Sequence, residues 1–139
     1  MRYGVLWIGL LPACGGDQVA PTTAPTPPIV TSQRSKAGNV VYNVSPRELE
    51  PLRVQGDKAI APDDQDKVHL NGAHLVGSFK LCLDETGHYE SGTVLKSTGV
   101  IGYDARIARA MMAWVYRPFV IDGSAVPVCS AITFIYSQH

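Results

Sequence analysis

A chain of 139 residues has room for one modest domain and a few additional segments. Its 45% hydrophobic and 17% charged content are globular values, which exclude disorder of the whole chain. Twelve Lys and Arg balance twelve Asp and Glu, and no basic stripe suits a phosphate backbone, so nucleic-acid binding is disfavoured.

Arg2 supplies a thin positive start before the apolar stretch Tyr3 to Leu11. An apolar run of about ten residues spans about 15 Å as a helix, half of a bilayer core, so it is too short for a transmembrane anchor. It has the length of the apolar centre of a signal peptide, and residues 1–13 are read as one. The string Leu11-Pro12-Ala13-Cys14 is similar to the bacterial lipobox, whose cysteine becomes the lipidated first residue of the mature protein. Cys14 is therefore the expected lipidation site. At about 0.8 kcal/mol per buried CH₂, two or more acyl chains anchor a protein stably. The alternative is an ordinary cleaved signal with an incidental cysteine.

Residues 14–39 form the expected lipidated N-terminus and tether. From Asp17 onward they are rich in Pro, Thr, Ala and Ser, a composition that buries too little apolar surface to offset the entropy of ordering. With polyproline-like geometry the tether reaches about 60 Å at most. Residues 40–139 then hold the domain, with an irregular lead-in and a core at 76–136.

In the lead-in, Ser45-Pro46-Arg47-Glu48 has a capping-box pattern, and Pro51 limits the helix to a turn or two. Ala61 to Asp66 reads as a solvated loop. Val76 to Asp84 alternates, with Phe79, Leu81 and Leu83 on one face and Ser78, Lys80 and Cys82 on the other, so it is a strand with one buried side. Asp84 to Gly87 makes a tight return into a partner strand from His88 to Lys96. Tyr103, Ile107, Ala110, Met111 and Trp114 then recur at helical spacing; Tyr103, Ile107, Met111 and Trp114 are the expected core of that helix. Val126 to Tyr136 alternates again and forms the last strand. These elements predict an α+β fold: a small two-layer ββαβ domain, with a three-stranded antiparallel sheet and one helix packed across it.

With Cys14 lipidated, Cys82 and Cys129 remain, an even number on strand faces opposite the apolar side. If the first and last strands pair, a cross-strand disulfide is geometrically reasonable. Closing a loop of roughly 45 residues contributes about 4 kcal/mol in the chain-entropy picture. Two independent free thiols are the alternative.

No catalytic residue, metal site or cofactor is expected. His69, His74 and His88 lack metal-ligand spacing, and Ser97 has neither a nucleophile-elbow setting nor a His-Asp partner placed by sequence. Arg106, Arg109 and Arg117 are read as a solvated helix face, with a patch for acidic lipid or peptide as the alternative. An enzyme is not the expected class.

The hairpin with Gly87, then Lys96-Ser97-Thr98-Gly99, Tyr103-Asp104 opening a helix, Trp114-Val115-Tyr116-Arg117-Pro118, Gly123 and a terminal strand together resemble the TonB C-terminal domain. The resemblance covers about Val76 to Tyr136 and, more loosely, the lead-in from Val44 to Gly56, and the ending from Pro127 to Gln138 is similar to myxobacterial members. It implies the ββαβ fold and capture of a partner's extended segment by strand addition to the last strand. The implied partner-binding strand is Val126, Val128, Ser130, Ile132, Phe134 and Tyr136. A transmembrane helix and a Gln-Pro-x-Tyr-Pro motif, both features of the archetype, are missing from this sequence. A lipid-anchored, periplasm-facing binding module is therefore expected, rather than an energy transducer acting alone. Its expected partner is an envelope protein of the outer-membrane receptor or transporter class, with the membrane held through the lipid anchor. The alternative function is a structural envelope lipoprotein that uses the same exposed edge to form a homodimer.

Overall fold

The computed structural model describes residues 31–34 and 38–138. Cys14 and the signal segment lie outside the described residues. Two short strands come first, Thr31–Arg34 (β1) and Val40–Asn43 (β2), paired antiparallel. Ser45 then opens the four-residue helix Pro46–Leu49 (α1). The Glu48 carboxylate accepts the Ser45 N–H at 3.0 Å and the Ser45 hydroxyl at 2.8 Å. Pro51 falls in a single 3-10 turn, Glu50–Leu52, which leads into Arg53–Gln55 (β3). The expected loop at 61–66 contains one helical turn, Asp64–Lys67 (α2). Asp63 stands extended at its start, and Asp64 and Asp66 lie in the first turn, where acidic groups suit the helix dipole.

The domain centre follows as His74–Leu83 (β4), Tyr89–Lys96 (β5) and Ile101–Met111 (α3). Val115–Tyr116 (β6) pairs with β3, and Val120–Ile121 (β7) with Ser124–Ala125 (β8) makes a small hairpin. The final strand is Val128–Ser137 (β9). It begins two residues later than expected. Pro127 has no N–H to give, and the Val126 N–H is used at 2.9 Å by the Phe119 carbonyl.

The main sheet has the order β1-β2-β9-β4-β5. Its centre is the expected ββαβ unit, with β4 antiparallel to both β5 and β9 and α3 joining the outer two. Hydrophobic alternation along β4 fixes this arrangement: Phe79, Leu81 and Leu83 are buried, while Ser78, Lys80 and Cys82 between them are only partly so. The β1-β2 hairpin widens the sheet to five strands. β2 runs parallel to β9 and meets it only at Tyr42 opposite Val128 and Asn43 opposite Cys129.

Tyr103, Ile107 and Met111 of α3 pack with Phe79, Leu81 and Leu83 of β4 and with Val128, Ile132 and Phe134 of β9. Phe79 and Phe134 meet edge to face with ring centres 5.6 Å apart. Trp114, three residues beyond α3, is fully buried and lies 6.0 Å from the Phe134 ring. Cys82 and Cys129 oppose each other across β4 and β9 and form a disulfide, with Cα atoms 4.0 Å apart.

Candidate functional site

A sheet edge is a row of backbone N–H and C=O groups waiting for a partner. On β9 the row is half occupied. The Tyr42 N–H donates to the Pro127 carbonyl at 3.1 Å and the Val44 N–H to the Cys129 carbonyl at 2.9 Å. Backbone groups alternate sides along a strand, so Cys129 faces β2, and Ala131, Thr133 and Ile135 face the same way further along. By Val44 the lead-in has turned away into α1. Among the described residues, the outward N–H and C=O groups of Ala131, Thr133 and Ile135 have no backbone partner. All three residues are exposed, and Ile135 keeps 65% of its surface open.

The residues expected to form the binding strand divide differently. Val128, Ser130, Ile132, Phe134 and Tyr136 direct their backbone groups toward β4, and their side chains line the helix face of the sheet. Val126 lies ahead of the strand. Hydropathy alternation reports the face on which a side chain lies, not the lateral direction of its backbone groups, and so it does not single out Ala131, Thr133 and Ile135.

Beside this open edge lies a cleft of about 220 Å³, lined by Lys58, Ala59, Ile60, Ala61, Tyr103, Phe134, Ile135 and Tyr136. Its outer wall is the segment from Lys58 to Ala61, held by a 2.7 Å hydrogen bond from the Tyr103 hydroxyl to the Ile60 carbonyl. Burial pushes the Tyr103 phenol above its ordinary value, so it keeps its proton and donates. Nothing in the pattern of residues 56–62 announces this wall, since it has neither helical nor strand periodicity.

A second cleft, about 470 Å³, lies along α3 between Gly56, Asp57, Arg106 and Trp114. Arg53 stacks over the Trp114 ring at 5.3 Å, and Arg106 pairs with Asp63. The Arg117 guanidinium donates to the Pro51 carbonyl at 2.9 Å. Two of the three arginines considered as a patch thus have partners within the domain.

The loop before α3 is tied by Asp104, whose carboxylate accepts the Thr98 N–H at 2.9 Å, the Thr98 hydroxyl at 2.6 Å and the Ser97 hydroxyl. Partial burial pushes this carboxyl up, but the hydrogen bonds from Ser97 and Thr98 outweigh it and hold the group below the usual carboxylate range. His74 bonds Ser137 and His88 bonds Thr86, each at 2.8 Å. Among the described residues no three His, Cys, Asp or Glu side chains cluster as metal ligands, and no helix is long and apolar enough to cross a membrane.

No family model and no curated protein matches the chain. Among solved structures it is similar to the solution NMR structure of the Pseudomonas aeruginosa TonB CTD, at 19% identity and a TM-score of 0.47, over 62% of this chain and 84% of that one.

Proposed function

We propose that this chain is a TonB-like recognition module that binds an extended segment of a partner protein by strand addition to the free half of β9. The observation that carries the reading is the backbone row at Ala131, Thr133 and Ile135, which has no partner among the described residues. Strand addition draws its affinity from such a row and its selectivity from pockets beside it. The β5 edge is a poorer template. Its pairing with β4 shifts register twice, leaving Leu95 and Glu90 without a partner, and bulges of this kind blunt an edge. The β4-β9 register is unbroken over ten pairs, so β9 offers a regular ladder.

The resemblance of residues 76–136 to the TonB C-terminal domain suggests a partner in the bacterial envelope, of the outer-membrane receptor or transporter class. Lipidation at Cys14 would hold the module at a membrane facing the periplasm, within reach of such a partner. Self-pairing of the same edge is the competing use.

Titrating the isotope-labelled chain with peptides from the periplasmic termini of outer-membrane receptors tests the reading. The Ala131, Thr133 and Ile135 amide signals are expected to shift first. Shifts confined to another face would reject it. Sedimentation across a range of concentrations separates self-pairing from capture of a foreign segment, and mass spectrometry of the mature N-terminus decides whether Cys14 is lipidated.

A further inference from the structure

We infer that the cleft between β9 and the Lys58–Ala61 segment is a side-chain pocket that selects, at one position of the added strand, a large aliphatic or aromatic residue. This rests on the edge-binding reading above. β2 supplies an internal template, because it already occupies the first half of the same edge. It places Tyr42 opposite Val128 and packs that ring against the core on the helix face. A segment seated further along would likewise alternate its side chains between the two sheet faces. Those on the helix face would stand beside Phe134 and Tyr136, where the cleft opens.

The lining of the pocket is more apolar than polar, with Lys58 its one charged residue. Ile60, Tyr103, Phe134 and Tyr136 are among the residues that line it, and the Tyr103 hydroxyl is already committed to the Ile60 carbonyl. Its volume of about 220 Å³ is ample for one large side chain. On the opposite face the same segment would lie over the side chains of Ala131, Thr133 and Ile135, which are exposed. Selectivity is therefore one-sided: alternate positions facing the pocket are read, and the intervening ones are tolerated.

The test uses the full chain and a series of blocked seven-residue peptides of alternating Thr and Val, differing only in a central Gly, Ala, Leu or Phe. Affinity is expected to rise about tenfold or more from Gly to Leu or Phe, with shifts in the ring signals of Tyr103 and Tyr136. If all four peptides shift the Ala131, Thr133 and Ile135 amides with equal affinity, the pocket assignment falls and the edge reading stands. The pocket assignment falls in the same way if affinity rises while both tyrosine rings stay unperturbed. If no peptide moves the edge amides, both fall.

Discussion

The Gly87 carbonyl accepts the Tyr116 N–H at 2.9 Å, and a Cβ placed on Gly87 would fall 2.1 Å from the Tyr116 carbonyl oxygen. Gly87 also has φ of +86°, a region that L side chains rarely adopt. The turn between β4 and β5 is thereby fastened to the segment that follows α3, and only glycine satisfies both conditions. Gly87→Ala is expected to destabilise the fold by about 2–4 kcal/mol. Urea denaturation measures this, and a loss below about 1 kcal/mol would show that the Tyr116 segment moves aside at little cost.

Ser130 presents the opposite case. It keeps only 4% of its surface exposed, lies opposite Leu81 on the helix face, and its hydroxyl has no hydrogen-bond partner among the described residues. An unsatisfied buried hydroxyl costs about 1–3 kcal/mol, so Ser130→Ala is expected to leave stability unchanged or raise it by about 1 kcal/mol. A clear loss on thermal denaturation would mean that the hydroxyl has a partner, such as a buried water.

The Cys82–Cys129 bridge closes a loop with a sequence separation of 47. In the chain-entropy picture that contributes about 4 kcal/mol, a large share for a domain of this size. Replacing both cysteines with alanine is expected to lower Tm markedly and to make the chain insensitive to reductant. An unchanged Tm would place the stabilisation elsewhere.

Much of this was legible in the residues. Alternation at Phe79, Leu81 and Leu83 and the stripe from Tyr103 to Met111 announce a sheet with one covered face, because burial and side-chain period are coupled. The placement of Cys82 and Cys129 on one sheet face made a bridge reasonable if the first and last strands paired, and their pairing in the fold decides between the bridge and two free thiols. β2 was not legible. A four-residue strand, only two of whose residues pair in parallel with a strand 86 positions away, carries no local signature. Trp114 fits the helical stripe yet sits beyond the last turn of α3, since hydropathy reports burial and not backbone geometry. The open edge is hidden for a similar reason: which groups of β9 face outward depends on where β4 and β2 lie, and that is known only after folding.

The Asp104 carboxyl gives the fold an acid-sensitive joint. Its folded pKa lies below the unfolded value because its bonds to Ser97 and Thr98 outweigh burial. The contribution is therefore fully present above the unfolded carboxylate value of about 3.9 and is lost as pH falls through the folded one. Asp84 behaves alike: burial raises its pKa, but hydrogen bonds from Thr86 and His88 bring it below the ordinary range. Asp104→Asn is expected to be less stable than the parent at pH 7 and to show a shallower loss of stability between about pH 5 and 2. Parallel curves for the two proteins would mean that Asp104 does not contribute to acid unfolding.

Proline scanning along β9 separates its two sets of backbone groups. At Thr133 the N–H points away from β4 and takes no part in the ladder, so Thr133→Pro removes an edge donor and no existing ladder bond. The side chain loses only an exposed 3.3 Å contact with Ser78. At Ile132 the N–H faces β4 and the side chain is buried, so Ile132→Pro loses a ladder bond and core packing together. Thr133→Pro is expected to fold with a Tm near that of the parent yet to bind an edge-directed peptide about tenfold less tightly or worse. Ile132→Pro is expected to lose at least about 3 kcal/mol of stability. A Thr133→Pro protein that folds and still binds at parental affinity would move the recognition surface away from β9.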